Sequence, residues 1–279
     1  MLVALRIVLF LGAGFLSCLA VDSVSWITNY EEGLEEARKT NKPVLLVFWA
    51  EWCGPCRMME QEVWRNPEFE PLLKKFVCLN IDIDRDIGTA GRYHVDAVPR
   101  MLILDPSGNV LSDRLGGQHR TDVTRLLSTI PDDFAPIARL NARLKEDPDD
   151  FSGWLGIAQF YAKLGVLDLS SKYLKEALKT REGKSHGASR ESALVMMGLN
   201  NLKMNNPKEA RKIFEQCCKE FASDGSECDR ALLGLVTAFA SERKFSEAEK
   251  ALAQLQARFP NSPAAERAAE NIQAARANR

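Results

Sequence analysis

The chain has 279 residues, enough for roughly two domains of ordinary size. Its formal net charge is -1, with 46% hydrophobic and 27% charged residues, which excludes binding to nucleic acid or acidic membranes through bulk positive charge. Seven cysteines are too few for a disulfide-built scaffold of this length, so each is read by its position. Residues 1–20 set one early positive charge, Arg6, before the apolar run Ile7 to Phe15 and close on small residues from Ser17 to Ala20. That is the layout of a signal peptide cleaved after Ala20; an uncleaved anchor and lipidation at Cys18 are the alternatives. All three place the remainder outside the cytoplasm, periplasmic or secreted.

A first domain is expected over residues 22–131. Tyr30, Leu34 and Ala37 share one helical face, which Asn41-Lys42-Pro43 terminates. Val44 to Ala50 is an unbroken apolar run rich in β-branched and aromatic residues, the pattern of a central strand buried on both faces. A second helix opens at Cys53 to Cys56 and carries Met58, Met59 and Val63. Phe76 to Asp82 reads as a strand and Ile87 to Tyr93 as a helix. Strands at Met101 to Leu104 and Val110 to Leu115 flank a turn at Asp105 to Asn109, and a helix covers Thr121 to Thr129. Strand–helix–strand followed by a hairpin and a helix predicts an α/β sandwich with a mixed sheet.

Chemistry is expected where the buried strand ends. Cys53 precedes a helix, whose unpaired N–H groups and positive dipole end favour an anion. A thiolate there has its pKa lowered from the free value of roughly 8.5. Cys56 lies one turn on, within disulfide range; Gly54 permits the tight entry and Pro55 starts the helix where a missing N–H costs nothing. The pair suits two-step thiol–disulfide exchange through a mixed disulfide. The competing reading, half of a zinc site, finds no second CxxC, and His94, His119 and His186 are scattered.

The run VLLVFWAEWCGPCR, Val44 to Arg57, resembles the active-site segment of the thioredoxin family. Leu79 to Asp82, Gly88 to Ala90, Tyr93 to Val95 and Val98-Pro99 extend the resemblance over about residues 25–130. Glu35 to Pro43 and Glu62 to Phe69 are similar to the exported branch typified by the C-terminal domain of the DsbD reductase. The resemblance implies a thioredoxin fold and a protein-disulfide oxidoreductase with Cys53 and Cys56 as its redox-active pair. It implies a cis peptide before Pro99 and a substrate groove formed by Trp52, Gly54, Pro55, Val98 and Pro99. Gly-Pro between the cysteines is the dipeptide of reducing members, which favours reduction or isomerisation. No cofactor is expected, and the implied partners are a protein disulfide substrate and an electron donor or acceptor.

One departure stands out. The family's buried aspartate and its neighbouring lysine are replaced by Val47 and Cys78. Losing both together leaves no buried charge stranded. Glu51 or water is then the candidate acceptor of the Cys56 proton. Trp49 is expected in the core, Trp52 over the redox pair, and Cys78 as an inert core thiol. Arg100 is expected either solvated or steering acidic substrates.

After Pro131 the composition turns helical. Spacings of the tetratricopeptide type, roughly 34 residues per helix–turn–helix unit, recur near residues 151–184, 191–224 and 229–262. Trp154, Ile157, Ala158 and Tyr161 mark the first, Leu194, Met197, Gly198 and Asn201 the second, and Leu232, Leu235, Val236 and Phe239 the third. Phe134 to Lys145 and Ala264 to Ala277 are expected as capping helices. Residues 132–279 are thus read as an all-α tetratricopeptide-like domain that binds a protein or peptide ligand. Leu155, Val195 and Leu233 are expected to line an apolar groove. Cys218 and Cys228 flank a turn, as a disulfide or as free thiols. A scaffold or holdase chaperone with secondary redox activity is the alternative reading of the whole chain.

Overall fold

The computed structural model describes residues 24–222 and 225–277; the expected signal peptide lies outside them. The predicted central strand is β2, Val44–Trp49, with β1 (Trp26–Ile27), β3 (Val77–Asp82), β4 (Arg100–Leu104) and β5 (Val110–Leu115) in the order β1-β3-β2-β4-β5. β1 and β2 run parallel to β3, while β4 runs antiparallel to β2 and β5 antiparallel to β4. Side chains alternate across β2. Val44, Leu46 and Phe48 pack with Tyr30, Leu34 and Ala37 of α1, Tyr30–Thr40. Leu45 and Val47 face the opposite layer with Met59, Val63, Phe69, Leu73, Val123 and Leu127. Both faces of the strand are covered, which explains its unbroken apolar sequence.

That opposite layer is built from α2 (Gly54–Met59), a π-helical turn at Glu60–Trp64, α3 (Glu70–Leu73) and α5 (Arg120–Thr129). The π turn breaks the regular helix expected through Val63: the Arg65 N–H reaches back five residues to the Glu60 carbonyl at 2.9 Å. α4, Ile87–Arg92, sits between β3 and β4.

The rest of the chain is helical: α6 (Ala135–Glu146), α7 (Phe151–Lys163), α8 (Leu167–Ala177), α9 (Arg181–Lys184), α10 (Ala188–Lys203), α11 (Pro207–Glu220), α12 (Cys228–Ser241), α13 (Phe245–Arg258) and α14 (Pro263–Ala277). The repeat positions read from the sequence meet in one core, including Ala158, Leu174, Leu194, Phe214, Leu232 and Leu255. The expected apolar groove is corrected at Val195 alone. Val195 is 0% exposed, and Leu155 and Leu233 are half-buried against the same core, because neighbouring helices cover α10 and α12 on most sides. Cys217, Cys218 and Cys228 are free thiols, so the disulfide alternative for Cys218 and Cys228 does not hold in this structure. Among the described residues no helix is long and apolar enough to cross a membrane.

The two halves share a buried junction. Asp105, at the end of β4, is 0% exposed and accepts from the backbone of Ser107 (2.8 Å) and Asn109 (2.9 Å) and from Asn109 Nδ2 (2.8 Å). The Tyr161 hydroxyl of α7 donates to Asp105 Oδ2, the oxygen that also accepts Asn109 Nδ2. Burial first, and the Asp105 charge second, hold the Tyr161 phenol far above its ordinary pKa, so it stays a donor. The Phe134 N–H also donates to the Asn41 carbonyl at 2.8 Å.

Candidate active site

β2 ends at the mouth of the site, where Cys53 caps α2. The Cys53 backbone is extended (φ -79°, ψ 103°), and its Sγ accepts the Cys56 N–H at 3.1 Å. A backbone N–H aimed at this sulfur stabilises negative charge on it, as at other helix N-termini. Pro55 stands in the first turn, where no N–H is needed. Cys53 and Cys56 form a disulfide with Cα atoms 5.3 Å apart. Both sulfurs are buried with Ala50, and Trp49, Ile83 and Val98 pack against that small cluster. The Val98–Pro99 peptide is cis.

Trp52 projects outward at 65% exposure, with its Nε1 donating to Asp84 at 2.9 Å. Met58, Ile87 and Leu115 are the other exposed large apolar side chains toward this end of the sheet. Gly117 approaches Pro55, so the turn after β5 closes a third side of the site; a methyl group there would lie 3.8 Å from the proline Cβ.

Behind the disulfide lies a cavity of about 290 Å³ lined by Val47, Trp49, Cys56, Met59, Trp64, Asn80 and Pro99, with Arg57, Glu60 and Arg65 at its polar side. Val47 and Cys78 both face the adjoining core. Burial pushes the Cys78 thiol up to about 12, and its Sγ donates weakly to the Leu73 carbonyl at 3.7 Å. It is an inert thiol.

One expectation is corrected, that for Arg100. Glu51 is exposed, and only its carbonyl is engaged, by Arg57 Nη1 at 2.6 Å. Glu60, four residues after Cys56 and therefore on the same helical face, lines the cavity with Cys56, and its carboxylate accepts from Arg65 Nε at 2.8 Å. That spacing was present in the sequence. Arg100 is neither solvated nor aimed at a substrate: its guanidinium is forked onto Asp113 and the Tyr93 and His94 carbonyls.

A family model described as thioredoxin-like matches residues 25–106, and one described as tetratricopeptide repeat matches residues 192–224 and 230–262. Mouse anterior gradient protein 3 is 34% identical over 99 residues, which are 34% of this chain and 58% of that protein. A thioredoxin from Pseudomonas aeruginosa is 35% identical over 97 residues, 33% of this chain and 83% of the thioredoxin. The thiol:disulfide interchange protein DsbD 1 of the same bacterium is 33% identical over 87 residues, 30% of this chain and 15% of that protein.

Proposed function

This chain belongs to the thioredoxin family through its first domain, and from that premise we propose that it reduces or isomerises disulfides of protein clients outside the cytoplasm. The observation that carries the reading is Cys53 at the N-terminus of α2, paired with Cys56 and packed against Val98. In the reduced protein the Cys53 thiolate attacks a client disulfide and releases one client sulfur as thiolate. Cys56 then attacks Cys53 in the mixed disulfide, releasing the second client sulfur and forming the Cys53–Cys56 bond. Two electrons pass to the client, and an external dithiol donor must return them. The Cys56 proton has to leave for the second attack. Glu60, on the cavity beneath Cys56, takes that role in place of the family's aspartate. Trp52, Gly54, Pro55, Val98 and Pro99 border the groove for the client chain.

Export is supported by the apolar N-terminal segment. The repeats are assigned to holding a protein partner. A holdase activity is favoured by Trp52, Met58, Ile87 and Leu115, exposed toward the redox end.

The test is the Cys53–Cys56 reduction potential by equilibration with glutathione, alongside insulin reduction, on the chain from residue 21 onward. A value near about -270 mV, with turnover lost in Cys53→Ser, supports a reductase, whereas about -120 to -180 mV moves the protein to the oxidase or isomerase side. Absent turnover at either poise rejects the enzyme, and aggregation suppression surviving in Cys53→Ser/Cys56→Ser would install the holdase instead.

A further inference from the structure

Residues 93–99 connect α4 to β4 without regular secondary structure, yet they end in the Val98–Pro99 wall of the redox site. Their position therefore depends on individual bonds. Arg100, the first residue of β4, supplies most of them. Its Nη1 donates to the Tyr93 carbonyl (3.0 Å) and the His94 carbonyl (2.8 Å), at the start of the loop. Its Nε and Nη2 grip Asp113 of β5 at 3.0 and 2.6 Å. The side chain is only 19% exposed. β5 leads directly to Gly116, whose N–H donates to the Pro99 carbonyl at 2.8 Å, and to Gly117 beside Pro55.

One guanidinium thus ties together both ends of the 93–99 loop and the strand whose end closes the groove. Resting on the oxidoreductase reading above, we propose that Arg100 is a positioning residue that fixes the Val98–Pro99 wall against Cys53 for an extended client segment. It touches neither the reacting sulfurs nor the client; it acts through the loop. The planar fork is required, because a lysine ammonium cannot hold a carboxylate bidentately and two carbonyls together. A small dithiol needs no groove, so the clamp matters for peptides far more than for dithiothreitol. The other groups facing the guanidinium are backbone carbonyls, and Asp96 adds a favourable charge.

The test compares the full chain with Arg100→Lys and Asp113→Asn in two measurements. The first is amide hydrogen exchange, which reads the loop without reference to activity. Exchange at Gly116 and Val95 is expected to rise about tenfold or more in Arg100→Lys, while Leu46 and Leu79 in the sheet core keep their protection. The second is kcat/KM for a disulfide-bonded peptide against the rate of reaction with dithiothreitol. The peptide is expected to lose roughly ten- to a hundredfold more than dithiothreitol, mainly through KM, with Asp113→Asn intermediate. Equal losses on both substrates, or unchanged exchange at Gly116 and Val95, overturn the proposal. Absence of peptide turnover in the unmodified chain rejects the oxidoreductase reading instead; the client then drops out, and exchange alone decides whether Arg100 holds the loop.

Discussion

Cys78 and Val47 occupy the two positions where the family keeps a buried ion pair, and their chemistry shows what replaced it. Both lie in one apolar core, so no charge needs compensation there. Burial raises the Cys78 thiol from 9.0 to about 12. A group whose folded-state pKa is raised stabilises the fold below its unfolded value and loses that contribution as pH climbs toward the folded one. Native stability should therefore decline between about pH 9 and pH 12. Cys78→Val should make that decline shallower by up to about 1.4 kcal/mol per pH unit, one proton's share. Urea unfolding from pH 7 to 11 reads the slope, and identical slopes would remove Cys78 as a cause. Glu60 carries the second expectation at this scale. Glu60→Gln should slow resolution of the Cys53 mixed disulfide by about tenfold or more at pH 7 and make the rate rise with pH across the neutral range. Stopped-flow tryptophan fluorescence follows it; an unaltered pH–rate profile would return the proton to water. The cysteines and Pro99 were legible because their chemistry is local in sequence. Arg100 was not, since its four acceptors are set by a loop path and a strand pairing that no spacing encodes.

Among the elements, those with a clear hydrophobic pattern were read within a residue of their bounds, as β2 and α5 show. β1 has two residues and no period to detect. The π turn after α2 was invisible for a different reason: it depends on how Trp64 and Val63 seat in the core, not on propensity. In the repeats, two glycines explain how α10 and α12 approach α11. A methyl group at Gly198 would come within 2.6 Å of the Phe214 ring, and one at Gly234 within 2.3 Å. Phe214 is fully buried between them. Gly198→Ala and Gly234→Ala should each destabilise the repeat domain by about 1–3 kcal/mol through overpacking, despite the gain in helix propensity. Thermal unfolding followed by helical circular dichroism measures it. Pairing either substitution with Phe214→Leu should recover part of the loss; if it does not, the ring is not what the methyl group strikes.

At the scale of the molecule, the sheet separates redox chemistry from domain docking. The register pairs Phe48 with Arg100 and Val44 with Leu104, so Asp105 lies at the end of the sheet away from Cys53, roughly 17 Å along β4 from Arg100. The repeat domain grips that far end through Tyr161 and leaves the dithiol end open. All the large apolar side chains exposed among the described residues (Trp52, Met58, Ile87, Val110 and Leu115) belong to the first domain. The two-domain order was legible from the motif around Cys53 and the repeat spacings after Pro131, but this docking was not: Asp105 reads as an ordinary turn residue and Tyr161 as a repeat core position, and only the fold makes them meet. Tyr161→Phe removes one donor from a carboxylate with no access to water. It should cost about 1–3 kcal/mol and loosen the junction. Limited proteolysis should then cut the connection at residues 130–134 faster, while the Cys53–Cys56 potential stays at its original value because the lost bond is at the opposite end of the sheet. A potential that moved with the junction would mean that the repeats, from the far end, set the chemistry of the dithiol.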